Sequence, residues 1–203
     1  MELKPKRIKN RLIIIGIIVI IVGITTFISI KLNQSISKNS ENKKVKDFIL
    51  EQESEESNNV SNKKKSTNIS KNEDFLMVIE IPKINLREGI YPKESEKNKV
   101  DRNITILNES DTPDVHMGNL ILAGHSGTGK TAYFNKLINL NNNDIVNIYY
   151  NHSKYQYEVT KIYEINKIGK IELENNHSTS ILTLITCNTK DNTKQIVIIC
   201  EKK

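Results

Sequence analysis

The hydrophobic and polar positions of the chain fall into three textures. Residues 12–30 carry no charge and are dominated by isoleucine. As a helix rising about 1.5 Å per residue, such a run reaches roughly 30 Å, the thickness of a bilayer's hydrocarbon core. Residues 32–74 are mostly Asn, Ser, Lys and Glu. Within them Val45, Phe48 and Ile49 share one side of a short helix over 43–55. The runs Glu51-Gln-Glu-Ser-Glu-Glu and Asn62-Lys-Lys-Lys-Ser-Thr-Asn bury too little apolar surface to offset ordering entropy. From Phe75 the pattern changes to β-branched and aromatic runs, several alternating with period two, over 75–81, 104–107, 119–123, 145–150, 155–163, 181–187 and 195–200. Asn, Gly, Asp or Pro bound them, which is the spacing of a compact all-β domain. One segment, 131–140, has Tyr133, Phe134, Leu137 and Ile138 at helical spacing and predicts a short helix.

Three regions follow: residues 1–31 as cytoplasmic tail and transmembrane anchor, 32–74 as a flexible extracellular spacer, and 75–203 as the folded domain. The apolar run is longer than the 7–15 residues usual in a signal peptide, and no small-residue cleavage site follows it, so it reads as a retained anchor. All but one of the six basic residues in 1–31 precede it, which directs the N-terminus to the cytoplasm and the domain outside the cell. Charge is segregated too. The formal net charge of +6 divides into +5 for residues 1–31, 0 for 32–74 and +1 for 75–203. Nucleic-acid binding needs clustered positive charge on the folded domain, and that is missing.

Gly124-His-Ser-Gly-Thr-Gly-Lys-Thr131 fits the phosphate-loop pattern G-x-x-x-x-G-K-[ST] letter for letter. The context opposes a nucleotide site. The chain lacks the strand–helix alternation of a parallel sheet. No later apolar strand ends in an Asp that could hold a metal, and the loop would lie outside the membrane.

The chain has two cysteines, too few for a disulfide framework. If 181–187 and 195–200 form a hairpin, Cys187 sits opposite Lys194 or Gln195, and Cys200 lies near Leu182. The two sulfurs are then separated by about five residues of strand, roughly 16 Å, beyond disulfide reach. Cys200 becomes a small buried side chain. Cys187 is left free at a strand end beside the cation Lys194, which favours the nucleophilic thiolate. Such a nucleophile needs a proton donor for the leaving group, usually His. His125 follows the strand 119–123 in a glycine-flanked exit. His116, in the preceding loop, is a second candidate. His152 and His177 lie in polar turns and read as surface residues.

These residues carry a family resemblance. Leu122-Ala-Gly-His125, then Tyr133-Phe-Asn-Lys-Leu137, then Asn143-Asp-Ile-Val-Asn-Ile, then Leu182-Thr-Leu-Ile-Thr-Cys187 before a last strand resemble the sortases, cysteine transpeptidases of the Gram-positive surface. Ile79-Glu-Ile-Pro-Lys-Ile-Asn-Leu also looks like their opening strand, so the likeness covers about 75–203. It implies a closed eight-stranded β-barrel with one or two short helices, preceded by the transmembrane helix. It implies that Cys187 attacks an LPXTG-like sorting signal of a secreted surface protein to form a thioester. His125 would protonate the departing amine and then deprotonate the incoming one, from cell-wall precursor or a pilin. The family's Arg at the start of the last strand is absent. Lys194 or its neighbour Gln195 stands there, leaving three readings: Lys194 acts, Gln195 or another donor acts, or the enzyme is slow or inactive. Thr186 matches the family's Thr-Cys pair, as a substrate contact or as strand packing. The connection before 181–187, only about 15 residues, points to the smaller A-, D- or C-like classes. Its Glu172 and Glu174, with Glu109, Asp111 or Asp114, are candidate calcium ligands by the same resemblance, although no metal or other cofactor is required. A hydrolysing thiol peptidase and a catalytically impaired anchored binding domain are the competing readings.

Overall fold

The computed structural model describes residues 5–56, 75–167 and 178–203. Among the described residues one α-helix, α1 (Pro5–Glu56), is followed by eight strands: β1 (Met77–Ile81), β2 (Leu86–Ile90), β3 (Thr105–Ile106), β4 (Asn119–Ala123), β5 (Ile145–Tyr150), β6 (Ser153–Asn166), β7 (Ile181–Cys187) and β8 (Lys194–Lys202). The chain divides into two compact units, Met1–Lys44 and Val45–Lys203.

The first unit holds the apolar part of α1. Its isoleucines are exposed on all sides, Ile13, Ile17, Ile20 and Ile24 among them. By length and composition this part of the helix is a candidate membrane span.

In the second unit the strands form one sheet in the order β2-β1-β5-β6-β8-β7-β4-β3. The sheet curls into a nearly closed barrel. Alternate positions fill the interior: Met77, Ile79 and Ile81 of β1, Leu120 and Leu122 of β4, Leu182 and Leu184 of β7, and Ile196, Ile198 and Cys200 of β8 belong to one buried cluster. The edges β2 and β3 are bridged by a side chain. Asn103 donates from Nδ2 to the Gly89 carbonyl (3.1 Å) and accepts the Ile104 N–H at Oδ1 (2.7 Å). That covers edge groups that would otherwise be open to another chain.

The end of α1 belongs to this unit. Val45 and Ile49 are buried against Val78 and Tyr149, with Phe48 and Phe75 packed beside them. Val78 alternates with the interior residues of β1, so these contacts cover the barrel's outer face. The stretch read as spacer is therefore helical as far as Glu56, and its remainder, 57–74, lies outside the described residues.

The helix expected over 131–140 is replaced by tight turns and a short 3₁₀ segment, Leu137–Asn139. The Phe134 N–H goes to the His125 carbonyl (2.9 Å), and Ala132, Asn135, Leu137 and Leu140 each donate three residues back. Phe134 and Leu137 enter the barrel core. The apolar spacing thus serves a plug across the barrel rather than a helix face.

Candidate active site

β4 and β7 run parallel, with Asn119 opposite Ile181 and Ala123 opposite Ile185. Among the described residues every other strand pairing is antiparallel. Parallel neighbours leave a sheet at the same end, so the residues after β4 and at the end of β7 emerge together. The ladder continues past β4 through Gly124 N–H to the Ile185 carbonyl (3.1 Å). Thr186 Oγ1 donates to the Gly124 carbonyl (2.8 Å), and Ser126 Oγ donates to the Cys187 carbonyl (2.5 Å). These bonds flank His125 and Cys187 and tie the exit of β4 to the end of β7. Both residues are half-buried. Cys187 alternates with the interior residues of β7, Leu182 and Leu184, so it belongs to the outer face of the barrel wall.

β7 and β8 are antiparallel, pairing Cys187 with Gln195 and Leu182 with Cys200. Both cysteines are free thiols. Cys200 is completely buried, and burial pushes its thiol far above the ordinary range. The separation inferred from the hairpin holds.

Lys194 points elsewhere. Its Nζ meets Glu164 Oε2 of β6 (3.1 Å) and Asp191 Oδ2 (3.9 Å). The Glu164 hydrogen bond and charge, with Asp191's charge, hold the ammonium above its ordinary pKa. Glu164 is the centre of a clamp on the β7–β8 loop. Its Oε1 accepts from Asn188 Nδ2 (2.7 Å). Asn188 Oδ1 in turn accepts the N–H groups of Lys190 (2.8 Å) and Asp191 (3.3 Å). Ser126, Glu164 and Asn188 are the positioning groups that sequence reading missed, because each acts on a residue or strand it cannot be matched to by spacing alone. Thr186 is buried, and its hydroxyl proton is committed to Gly124.

The remaining histidines are remote or outside the described residues. His116 is exposed in the loop that enters β4, at the opposite end of that strand from Cys187. His152 lies in the exposed β5–β6 turn with a left-handed backbone (φ 59°), at the end of β6 away from its Asn166–Lys194 pairing. His177 lies outside the described residues, as do Glu172 and Glu174. Among the described residues no group of three or more His, Cys, Asp or Glu is arranged to hold a metal. Asp111 is used in the fold, where its Oδ2 accepts the Asn119 N–H (2.9 Å). The segment after Gly124 runs through bends and turns rather than into an α-helix, so the helix N-terminus that a phosphate loop requires is not built.

The fold and site define a class: a β-barrel that brings a cysteine and a histidine to one end of a parallel strand pair. The sortase domain family matches residues 79–203, and the chain belongs to the sortase family. It is similar to Sortase A of Bacillus anthracis, with 31% identity over 121 residues, covering 59% of this chain and 56% of that protein. The match thus spans little more than half of that relative. In structure it is similar to sortase C1 of Streptococcus agalactiae, with a TM-score of 0.58 and 26% identity over 66% of this chain and 70% of that one. A Clostridium perfringens sortase D5 transpeptidase shares the fold at a TM-score of 0.58 and 24% identity, covering 80% of this chain and 98% of that one.

Proposed function

We propose that the protein is a membrane-anchored cysteine transpeptidase that joins secreted proteins to an amine at the cell surface. The observation that carries this reading is the parallel β4–β7 register, bracketed by the Thr186 and Ser126 hydrogen bonds, which brings Cys187 and His125 together in a sortase barrel. The Cys187 sulfur attacks the Thr carbonyl of an LPXTG-like signal, and the Thr–Gly C–N bond breaks. His125 gives its proton to the departing amine, leaving a thioester on the sulfur. The second substrate, an amine of cell-wall precursor or pilin, attacks that thioester. His125 takes up the amine's proton, the new amide forms, and the sulfur leaves as a thiolate beside the reprotonated His125. The thioester preserves acyl activation, so the scheme needs no nucleotide, and we propose that it runs without a cofactor. The apolar part of α1 serves as a single-pass anchor, with the basic N-terminus cytoplasmic and the barrel outside.

The test uses the full chain in detergent with a library of peptides bearing C-terminal sorting motifs. Mass spectrometry should find an acyl adduct on Cys187 and, with added amine, an amide product. A Cys187→Ala chain should give neither. Persistent hydrolysis at saturating amine would establish a thiol peptidase instead. Failure of every peptide to acylate Cys187 would leave the anchored binding domain. Loss of turnover on chelation, restored by calcium, would refute the cofactor-free scheme.

A further inference from the structure

Addition of a thiolate to a peptide carbonyl moves electrons onto the carbonyl oxygen, and that developing charge needs a hydrogen-bond donor beside the sulfur. The β7–β8 register identifies one. Gln195 lies directly across from Cys187. Directly opposed residues carry their side chains on the same face, with Cβ atoms about 4.5–5.5 Å apart. Ile196, Ile198 and Cys200 face the interior, so Gln195, like Cys187, belongs to the outer face. The Gln195 side chain is half-buried, and among the described residues no hydrogen bond to its carboxamide is formed. It is a donor across from the nucleophile that no described residue engages.

Lys194 is one residue out of register and has the parity of the interior residues. Its ammonium is already engaged by Glu164 (3.1 Å) and Asp191 (3.9 Å). Moving it to the sulfur would break the ion pair with Glu164.

We propose that Gln195, and not Lys194, is the catalytic donor to the acyl oxygen, its Nε2–H bonding the oxyanion formed when Cys187 adds to the scissile carbonyl. The inference rests on the transpeptidase reading above. Gln195 exchanges no proton with the substrate. When the tetrahedral adduct collapses, the C–N bond breaks, the amine leaves with the proton from His125, and the oxygen returns to a carbonyl. A neutral carboxamide has two N–H donors and no charge, so the donor contributes no titration of its own.

The experiment measures two rates on Cys187 in the full chain: acylation by a sorting peptide that modifies the wild type, and alkylation by iodoacetamide, which forms no oxyanion. Loss of one oxyanion donor lowers acylation by about 100-fold or more, and that is the expectation for Gln195→Ala, with the alkylation rate retained. Gln195→Glu can donate only when protonated, so its acylation relative to wild type should rise as pH falls. Lys194→Met should cost at least about tenfold less than Gln195→Ala. Equal losses of acylation and alkylation in Gln195→Ala would make the residue structural and overturn the inference. So would a larger loss in Lys194→Met, or a Gln195→Ala rate within about threefold of wild type. Failure of the wild type to acylate at all removes the proposed function, and this inference with it. A wild type that acylates beside an equally active Gln195→Ala removes the inference alone.

Discussion

Gly124→Ala tests how the barrel core positions the site. Gly124 precedes His125, and both its N–H and its carbonyl are bonded to β7. A Cβ at this position would lie 2.8 Å from Cδ2, 3.0 Å from Cγ and 3.3 Å from Cε2 of Phe134. Carbon atoms in contact normally sit about 3.5–4.0 Å apart, so ring or strand must shift by roughly 0.7 Å. The ring has little room, because Phe134 is completely buried and its N–H is tied to the His125 carbonyl. Forcing it into the core costs about 1–3 kcal/mol of overpacking. Moving the strand end instead carries His125 away from Cys187, and a misplacement near 1 Å costs on the order of 100-fold in rate. Since neither path is free, Gly124→Ala should lose about 1–3 kcal/mol of stability and about 10- to 100-fold in acylation. Phe134→Leu removes the clashing ring at the cost of a void. The double variant should therefore be more stable than the sum of the singles by about 1–2 kcal/mol, and faster than Gly124→Ala alone. Urea unfolding followed by tyrosine fluorescence suits the measurement, because all seven tyrosines lie in 91–163 and none in α1. Additive energies in the double variant, or an unaffected Gly124→Ala, would refute the reasoning.

Three further outcomes are expected. Native protein treated with an alkylating thiol reagent should gain one label, at Cys187, and a second only in denaturant, because Cys200 is buried with its thiol pKa pushed far up; peptide mass mapping distinguishes the sites. Asn188→Ala frees two loop N–H groups and one acceptor of Glu164, and should cost about 1–3 kcal/mol in the same urea assay. Burial alone would raise the Glu80 carboxyl, but donors from Arg87, Asn147 and Tyr149 hold it below its ordinary value. The stability Glu80 contributes is therefore present above that ordinary value and lost as pH falls through the folded one, so Glu80→Gln should show a shallower loss of urea midpoint between about pH 6 and about pH 3.

Uncharged β-branched runs were legible in the sequence. β4, β5 and β7 begin and end where the pattern puts them, because each is flanked by polar turn residues and buried along most of its length. β2 was hidden. Arg87 and Glu88 break its apolar run, since an edge strand can leave them toward solvent and still bury Leu86, Gly89 and Ile90. The 131–140 segment misled because helical spacing reports only that Phe134 and Leu137 reach the same core, and tight turns achieve that as well. Ile138, the fourth member of the apparent helical stripe, is exposed (37%). The free state of both cysteines was legible for a firmer reason: a hairpin's loop length sets the separation of residues on its two strands. The same estimate left the partner of Cys187 open by one residue, and in a strand one residue is a change of face.

That single residue separates two different active sites. With Lys194 opposite the sulfur, a mobile cation would sit beside the nucleophile and stabilise the thiolate before any substrate arrived. With Gln195 there, as the register has it, the residue across from the sulfur is neutral, and in the proposed scheme it favours the adduct rather than the resting thiolate. Lys194 is then free to close the Glu164 clamp on the loop that follows Cys187. The parallel β4–β7 pair completes this division of labour. In an antiparallel pair the strand ends carrying His125 and Cys187 would leave at opposite ends of the barrel, and long loops would have to bring them back. In parallel register both ends leave together, and two hydroxyls, Thr186 and Ser126, hold the exits side by side. In the proposed scheme the acid–base group follows β4, the nucleophile ends β7 and the oxyanion donor lies on β8, three strands adjacent in the sheet.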